Sequence, residues 1–462
     1  MNISNTFVHG TLNEKDRRNE LFPLLKQSME AGESFLVTNS GGTLIDCLFT
    51  DLIGRHYKII YMDFSDIDAN WCWNPLSYSL KLYKNGEIDN SVEHVRLISN
   101  TIMQTDSVSN KKDPFWANAA SGLFEALTLS LFKNADFRDV NLMSILDMAI
   151  EGAGKSGNLT ILHDYFELQQ CKEFKKPAST FLNAPNETRA SILSVFIQAV
   201  SEVVGYKQFN RHMMTNDIHV PSIVREKTAL IINLSESSRC NLIIGLLVAQ
   251  ICFYLINENE SYKSNRNFSF YFDRFVNIGR IPQIEKYLSY GIDFGFRFVM
   301  FVDNIAMLDN IYGKDVRKII FEYCSKWIIY NLKDQEFIEQ IDKMLDFYAQ
   351  EQKVRILNAL RNNKPIAFGE DKTFEVHYVF GEDLFPDNSS KWTRERICLP
   401  EPEEYSIIKF IRDNKTLNLF PKPQGGGISE DGKSSLNVEN IIREIDKKIQ
   451  EIEEEERKRI ES

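Results

Sequence analysis

Five short apolar runs, rich in β-branched and aromatic residues, most constrain what this chain can fold into. Their apolarity is continuous rather than alternating, and this pattern is typical of strands that are buried on both faces of a parallel sheet. Predicted helices follow several of the runs, for example at 241–257 and 280–290, and this strand–helix order predicts an α/β domain. The five predicted strands are 34–38, 57–62, 228–234, 268–273 and 296–302.

The spacing of apolar residues changes between residues 80 and 215, where it becomes helical, as in "AASGLFEALTLSLF". This segment predicts an all-α domain inserted into the α/β chain. The sequence therefore divides into a first part of the α/β domain at 1–79, the all-α domain at 80–215, a second part of the α/β domain at 216–400, and a linker region at 401–435.

Residues 436–462, which follow the Gly/Ser/Pro-rich linker, predict a separate amphipathic helix. Its apolar residues recur at four–three spacing, the pattern of a narrow coiled-coil seam. Fewer than three heptads are present, so we expect a second copy of the chain or a partner protein to cover the seam. The seam residues are Val438, Ile442, Ile445, Ile449 and Ile452.

Charge and composition exclude several classes of protein. The 462 residues carry a net charge of −11, so we expect no general electrostatic attraction to nucleic acid, and any DNA contact has to be local. The seven cysteines contain no CxxC pair and the seven histidines no HExxH spacing, so we predict no metal site. No signal-peptide pattern is visible, and the longest apolar run, 241–256, is shorter than the ~20 residues of a membrane helix. We therefore expect a cytoplasmic protein without an integral membrane segment, or one bound peripherally at the inner face of the cell membrane.

The stretch "AIEGAGKSGN", residues 149–158, satisfies the relaxed phosphate-loop pattern. A phosphate loop requires a strand before its glycine-rich turn and a helix after it, so that backbone N–H groups converge on the phosphates. Here the preceding "VNLMSILDMAI" has helical spacing, and the stretch lies within the predicted all-α domain. We therefore interpret it as a helix stop followed by an exposed loop.

Three other segments form a recognisable set: "WCWNPLSYSL" (71–80), "KKDPFWANAASGLFEALTLSLF" (111–132) and "FYFDRFVNIGRIPQIEKYL" (270–288). In this layout the chain resembles the TraG-like coupling proteins of conjugative type IV secretion systems, over about residues 34–345. The resemblance implies a RecA-like, P-loop NTPase-type parallel sheet with an inserted all-α domain. It also implies a hexameric ATPase that pumps relaxase-bound DNA towards the secretion channel.

The sequence departs from the nucleotide-binding pattern of that family. By the resemblance, the phosphate loop lies upstream of the strand at 34–38, where "HGTLNEKDRR" keeps Gly10 but replaces the Gly-Lys-Thr end by Lys15, Asp16 and Arg17. A carboxylate in an anion-binding loop repels phosphate. The family's Asp-Pro-Lys-Gly turn after the next strand corresponds to "NSGG" here, which contains no basic residue.

The positions that the resemblance assigns to catalysis are also altered. Asp273 of the Walker B segment remains, but Arg274 replaces the glutamate that polarises the attacking water, and arginine is no general base near neutral pH. Asp303, followed by Asn304, replaces a polar Gln-Ser sensor. Ile292 replaces the arginine expected in trans, a cation that stabilises the transition state. We therefore interpret the chain as a pseudoenzyme that has kept the fold.

Two aromatic pairs are candidate binding residues. Asp113, Phe115 and Trp116 belong to the family's Asp-Pro-Phe-Trp motif and could dock a partner; alternatively Asp113 or the next residue starts a helix and the two rings fill its core, which the local pattern favours. Trp71 and Trp73 flank an Asn-Pro turn, and we expect them in the core rather than stacked on nucleic-acid bases.

Two functions are consistent with this sequence. The first is a non-catalytic coupling-protein homologue, without nucleotide or metal, that binds a relaxase, a secretion component or a coupling ATPase and acts in or on conjugative DNA transfer; a homo-oligomer is compatible with it. The second is an ATP-driven DNA translocase, with ATP and Mg²⁺ as cofactors, whose phosphate site has diverged or is completed by a partner. Arg274 and the acidic upstream loop favour the first, and DNA binding is left open.

Overall fold

A computed structural model describes most of the chain between residues 4 and 376. The described residues are 4–40, 44–64, 71–103, 114–156, 159–168, 172–204, 207–214, 216–234, 238–257, 266–331, 349–362, 364–369 and 373–376, with 337–338, 341, 345 and 406–407. The predicted linker region 401–435, apart from residues 406–407, and the whole of the predicted helix 436–462 with its seam lie outside them.

The strands are β1 (Asn5–His9), β2 (Ser34–Asn39), β3 (Lys58–Asp63), β4 (Lys155–Ser156), β5 (Leu159–Thr160), β6 (Thr228–Asn233), β7 (Phe268–Phe272), β8 (Phe296–Val302), β9 (Cys324–Ile329), β10 (Ile366–Phe368) and β11 (Phe374–Val376). Within the described residues, nine of them form one sheet in the order β11-β10-β9-β1-β8-β7-β2-β6-β3. From β9 to β3 every neighbouring pair is parallel, whereas β10 and β11 are antiparallel additions at one edge. The five strands predicted from apolar runs are β2, β3, β6, β7 and β8, so the predicted parallel α/β sheet is confirmed.

The helices are α1 (Glu14–Ala31), α2 (Leu44–Gly54), α3 (Ser77–Lys84), α4 (Ile88–Met103), α5 (Phe115–Asn134), α6 (Leu142–Gly152), α7 (Ile161–Leu168), α8 (Lys172–Lys175), α9 (Ser179–Leu182), α10 (Asn186–Val204), α11 (Lys207–Met214), α12 (Val220–Arg225), α13 (Ser238–Asn257), α14 (Ile284–Tyr290), α15 (Ile305–Tyr312), α16 (Lys314–Glu322) and α17 (Gln350–Arg361). The predicted helix at 241–257 is α13. The one predicted at 280–290 is shorter, because Gln283 has a φ of 56° and α14 begins after it.

The chain divides into two compact units. Among the described residues, the α/β unit consists of those within 1–78 and 206–401, and the helical unit consists of those within 79–205, with 406–407. In this division the helical unit begins at Ser79, and α11 belongs to the α/β unit. Its contacts explain this: the backbone N–H of Trp73 donates to the carbonyl oxygen of His212 (2.7 Å), and the ring of Trp71 stacks on the His212 ring at 4.7 Å.

One face of the sheet in the α/β unit is covered by α1 and α2. Val37 and Tyr271 from the strands, Leu25 and Met29 from α1, and Leu48 from α2 belong to one buried apolar cluster. Burying a leucine of this kind contributes about 1.5–3 kcal/mol. Because α1 is anchored along its length by these residues, the position of its first turn at the end of β1 is fixed by the core.

The helical unit is built around α5. This helix packs against α4 and α10, and most of its residues between Ala117 and Phe132 are buried. A Cβ added at Gly122 would lie 2.4 Å from the carbonyl oxygen of Pro177, so this glycine permits a close backbone approach. Arg96 of α4 donates two hydrogen bonds, both of 3.1 Å, to the carboxylate of Glu125. No helix in the described stretches of either unit is both long and apolar enough to cross a membrane.

Candidate functional site

The carboxyl ends of the parallel strands β1, β2, β7 and β8 lie side by side at one end of the sheet, which we call the carboxyl edge. α/β folds bind their ligands at this end. Asp273 follows β7 directly, Asp303 follows β8, and Ser40 follows β2. Gly10 begins the loop that joins β1 to α1, and β1 lies between β9 and β8. The strand register brings these residues together, and the loop after β1 is the one that the resemblance assigns to phosphate binding.

Gly10 opens this loop because a neighbour leaves no room for a side chain. Its φ is +143°, and a Cβ built on it would lie 2.7 Å from the Cβ of Tyr330. Tyr330 is held in place, since its backbone N–H donates to the carbonyl oxygen of His9 (2.8 Å) and its hydroxyl donates to the carboxylate of Glu20. The glycine is therefore explained by packing against the end of β9, without a ligand.

α1 begins with side chains that satisfy its own first turn. Oδ1 of Asn13 accepts from the backbone N–H of Asp16 (2.8 Å), and Nδ2 of Asn13 donates to the Asp16 carboxylate (2.8 Å). Glu14 and Asp16 place two carboxylates at this end of the helix, where the helix dipole favours negative charge. Lys15 is exposed. The helix end that binds phosphate in a phosphate loop thus carries anions of its own.

Arg17 turns inward from α1 and pairs with Asp273. Its Nε donates to Oδ1 of Asp273 (2.9 Å), and its Nη1 donates to the carbonyl oxygen of Leu12 (2.7 Å). Nη1 also lies 3.9 Å from Oδ2 of Asp303. The second oxygen of Asp273 accepts from the hydroxyl of Ser40 (2.6 Å). The side chains of Arg17 and Asp273 are 3% and 8% exposed, so this is a buried ion pair in which each charge depends on the other.

Asp303 and Arg274 complete the charges at this edge. Partial burial raises the pKa of Asp303, and the carboxylate of Asp273 adds to this rise, while the guanidinium groups of Arg17 and Arg274 oppose it. Nε of Arg274 is buried and has no hydrogen-bond partner in the described part of the chain. The residue after Asp273, where the resemblance places the general base, is therefore a cation within the electrostatic reach of Asp303.

Three solved structures of a coupling protein have this fold. The unbound monoclinic form of the bacterial conjugative coupling protein TrwBΔN70 is 12% identical, with a TM-score of 0.58 over 81% of this chain and 85% of that chain. Its trigonal form in complex with sulphate is 13% identical, with a TM-score of 0.57 over 82% and 88%. TrwB in complex with the non-hydrolysable ATP analogue ADPNP is 12% identical, with a TM-score of 0.55 over 87% of each chain. At these identities the likeness shows the fold alone, and it confirms the predicted RecA-like, P-loop NTPase-type class.

The model of the type IV secretory system conjugative DNA transfer family matches residues 53–355, more than half of the chain. The chain belongs to this family. The predicted resemblance to conjugative coupling proteins is thereby confirmed. A comparison with curated proteins finds no match. The matched residues begin near the end of α2. β1, α1 and the loop between them therefore lie outside the match, and their likeness to coupling proteins is one of fold alone.

Ile292, predicted to replace an arginine of the conjugative DNA transfer family, lies apart from the residues around Arg17. It is in the turn between α14 and β8, before the strand begins, whereas Asp303 follows the end of the same strand. Its carbonyl oxygen accepts from the backbone N–H of Gly295 (3.1 Å), and its side chain is exposed. The two positions therefore lie at opposite ends of β8.

The Asp-Pro-Phe-Trp motif of the family stands at the start of α5. Asp113 lies outside the described residues, and Pro114 is the N-cap, without a side-chain hydrogen bond. Phe115 is 42% exposed, and its ring packs edge to face on that of the half-buried Trp116, with ring centroids 5.1 Å apart. The expected helix start is confirmed, but the expectation that both rings fill its core is wrong, because the buried part of α5 begins only at Ala117. A partner-binding role for the motif stays a prediction.

The tryptophans of the Asn-Pro turn are core residues, as expected. Trp71 and Trp73 are both buried. The indole N–H of Trp71 donates to the carbonyl oxygen of Asp63 (3.3 Å), and its ring stacks on His212. These contacts leave neither ring as a surface on which a nucleic-acid base stacks.

The stretch "AIEGAGKSGN" does not follow a strand of the nine-stranded sheet. α6 ends at Gly152, and β4 and β5 then form a two-residue antiparallel hairpin before α7. A Cβ at Gly152 would lie 2.7 Å from the Cβ of Leu162, so this glycine allows packing against α7. The predicted helix stop is confirmed, and the predicted loop is corrected to a short hairpin, because Lys155 and Ser156 pair with Thr160 and Leu159.

Three groups at the carboxyl edge were not predicted from the sequence: the hydroxyl of Ser40, the carbonyl oxygen of Leu12 and the side chain of Tyr330. Ser40 has a local signal, since it directly follows β2. Leu12 and Tyr330 have none, because their roles follow from where Arg17 and Gly10 lie in the folded sheet.

Proposed function

We propose that the protein is a non-catalytic member of the conjugative DNA transfer family, which acts in or on transfer by binding a protein partner. The partner classes are a relaxase, another secretion component and a genuine coupling ATPase. The observation that carries this proposal is the inversion of charge at the carboxyl edge. Asp16 stands where the family's phosphate-binding lysine is expected, and Arg274 stands where its general base is expected.

The residues at this edge do not fit a nucleotide of the kind bound in the TrwB complex with ADPNP. A phosphate loop offers backbone N–H groups and a lysine to the phosphates. Here Asn13 caps the helix and holds the Asp16 carboxylate beside it, while Arg17 occupies the carboxylate of Asp273. A triphosphate has to face Asp16 and to displace a buried ion pair, and both are unfavourable. The proposed function therefore includes no nucleotide-dependent step.

Calorimetry and a phosphate-release assay test the loss of ATPase activity. For the full chain we expect no measurable binding of Mg-ADPNP and no hydrolysis of Mg-ATP. Asp273→Asn is the informative variant, and Asp315→Asn is its control, because Asp315 is an exposed aspartate whose carboxylate pairs with Lys318 at 3.1 Å. A dissociation constant near 1 μM, about −8 kcal/mol, contradicts the proposal. So does phosphate release that Asp315→Asn preserves and that Asp273→Asn abolishes at a temperature where the variant is still folded; either result favours the ATP-driven translocase.

The first turn of α5 is the docking surface that we propose for the partner. Phe115 and Trp116 present two aromatic rings at the surface of the helical unit, and aromatic side chains often dominate protein–protein binding energy. The test is capture of a purified relaxase, and separately of a purified coupling ATPase, by the full chain. We expect Phe115→Ala/Trp116→Ala to weaken capture at least about tenfold. Phe137→Ala is the control, because Phe137 is a 64% exposed aromatic residue of the same unit. Equal capture by both variants contradicts this assignment.

A further inference from the structure

Several oxygen atoms at the carboxyl edge surround a single side chain, the guanidinium of Arg17. The carboxylate of Asp273 and the carbonyl oxygen of Leu12 accept its hydrogen bonds, at 2.9 and 2.7 Å, and the carboxylate of Asp303 lies 3.9 Å from it. Ser40 donates to the remaining oxygen of Asp273 at 2.6 Å. Carboxylate, carbonyl and hydroxyl oxygens are the ligands that a hard divalent cation such as Mg²⁺ prefers. In this chain they surround a cation that belongs to α1.

We propose that the guanidinium of Arg17 takes the place of a divalent cation and acts as a built-in counter-ion that joins α1 to the ends of β7 and β8. This inference rests on the proposed function in one respect, namely that the wild-type chain binds no Mg²⁺–nucleotide. It goes beyond that function in giving the altered site a task. The charge of Asp273 is balanced permanently, Asp303 lies 3.9 Å from the same cation, and the loop after β1 is held in one position without any ligand.

The contacts explain why an arginine performs this task. Its planar head group directs separate N–H donors to separate acceptors, and here Nε reaches Asp273 while Nη1 reaches Leu12. The link joins residues 256 positions apart in the chain. Without the guanidinium, Asp273 is a buried carboxylate beside the partly exposed Asp303, and leaving a buried charge unpaired is strongly destabilising.

The first experiment measures the melting temperature of charge-removing variants of the full chain. Arg17→Met keeps most of the side-chain volume and is expected to lower the melting temperature by roughly 5–15 °C. Arg18→Met is the matched control, because the neighbouring Arg18 pairs with the exposed Glu14, and we expect a change of less than about 2 °C. Arg17→Met/Asp273→Asn, which removes both charges, is expected to melt above Arg17→Met. Equal effects of Arg17→Met and Arg18→Met overturn the inference.

The second experiment asks whether Mg²⁺ itself replaces the guanidinium. Arg17→Ser leaves the oxygen ligands in place and adds a hydroxyl. MgCl₂ at about 10 mM, which suits a site of millimolar affinity, is therefore expected to raise the melting temperature of this variant by roughly 3–5 °C relative to EDTA. The wild-type chain and Arg17→Ser/Asp273→Asn are expected to show no shift. Arg17→Lys, which retains a charge but not the planar head group, is expected to melt between wild type and Arg17→Met. It tests the requirement for a cation at position 17 if Arg17→Ser does not fold.

The outcomes separate this inference from the proposed function. A rise in the melting temperature of the wild-type chain with Mg-ADPNP contradicts the proposed function. A wild-type chain that ignores Mg-ADPNP, combined with an Arg17→Ser variant that ignores MgCl₂, overturns the cation replacement alone. An Arg17→Lys variant as stable as wild type overturns the part of the argument that requires the planar head group of arginine.

Discussion

Replacing Gly10 by alanine is expected to destabilise the α/β unit by about 4 kcal/mol, which separates a packing role of this glycine from a ligand-binding role. Two terms contribute. The φ of +143° is almost restricted to glycine and costs an alanine about 1–3 kcal/mol. The added Cβ meets the Cβ of Tyr330 at 2.7 Å, and overpacking of this kind costs about 1–3 kcal/mol more. Tyr330 cannot easily move away, because both its backbone and its hydroxyl are hydrogen-bonded.

Two other glycines of the same unit allow these terms to be measured separately. Gly313 has a φ of +82° and no neighbouring atom within 4 Å of an added Cβ, so Gly313→Ala reports backbone strain alone, about 1–3 kcal/mol. Gly54, the last residue of α2, has neither a positive φ nor a neighbour within 4 Å. Gly54→Ala is therefore expected to be neutral or to stabilise by up to about 1 kcal/mol.

Urea denaturation followed by tryptophan fluorescence measures the three variants against wild type. Trp327 of β9 reports on the relevant strands, since its ring contacts Phe7 of β1 with ring centroids 4.8 Å apart. At an unchanged m-value the shift in midpoint gives the change in free energy of unfolding. If Gly10→Ala destabilises no more than Gly313→Ala, the contact with Tyr330 does not explain the glycine. Packing alone then does not account for the glycine in this loop without a bound ligand.

Three further predictions concern the helical unit and the C-terminal segment. Burial lowers the pKa of His94 from 6.5 to about 3, so below pH 6.5 the unfolded chain binds a proton that the folded chain does not. The stabilisation from neutral His94 is present above about pH 6.5 and falls by up to about 1.4 kcal/mol per pH unit down to about pH 3. The free energies of unfolding measured with urea at pH 7 and at pH 5 should therefore differ less for His94→Gln than for wild type. Lys155→Ala should change neither fold nor any nucleotide signal in calorimetry, and loss of a measured signal would restore the phosphate-loop interpretation of "AIEGAGKSGN". Ile445→Lys/Ile449→Lys should weaken self-association or partner capture, measured by light scattering and pull-down, with little change in the melting temperature of the main body; a large fall would show that the helix packs on its own chain.

The central strands could be predicted from the sequence because their burial on both faces leaves a continuous apolar run. β1 could not, although it lies in the middle of the sheet. Its sequence "NTFVH" is short and half polar, and its first residue is buried through distant partners. Nδ2 of Asn5 donates to the carbonyl oxygens of Leu288 (3.3 Å) and Tyr323 (3.1 Å), and Oδ1 accepts from the backbone N–H of Phe298 (3.0 Å). No local pattern marks a polar side chain whose hydrogen-bond partners lie 283 to 318 positions away.

The candidate site was predictable as a set of altered positions but not as a structure. The resemblance to coupling proteins marked Lys15, Asp16 and Arg17 as the changed end of a loop, and Arg274 as a changed general base. That information is local to each motif. Which altered residue contacts which retained one depends on the sheet order β1-β8-β7, and only that order places Arg17 against Asp273.

On the proposed function, the pairing with Arg17 also explains why position 273 keeps an aspartate while the next residue is Arg274. If no metal is bound, as we propose, Asp273 needs another cation, because a carboxylate that is only 8% exposed is costly without a partner. Arg17 removes that cost, since its Nε donates directly to the carboxylate. The residue at position 274 has no comparable constraint, because it is less buried and its Nε finds no acceptor among the described residues. On this argument Asp273 has a structural role that depends on Arg17. A variant with Asn at 273 should therefore be tolerated far better when Arg17 is replaced by Met in the same chain than when it is retained.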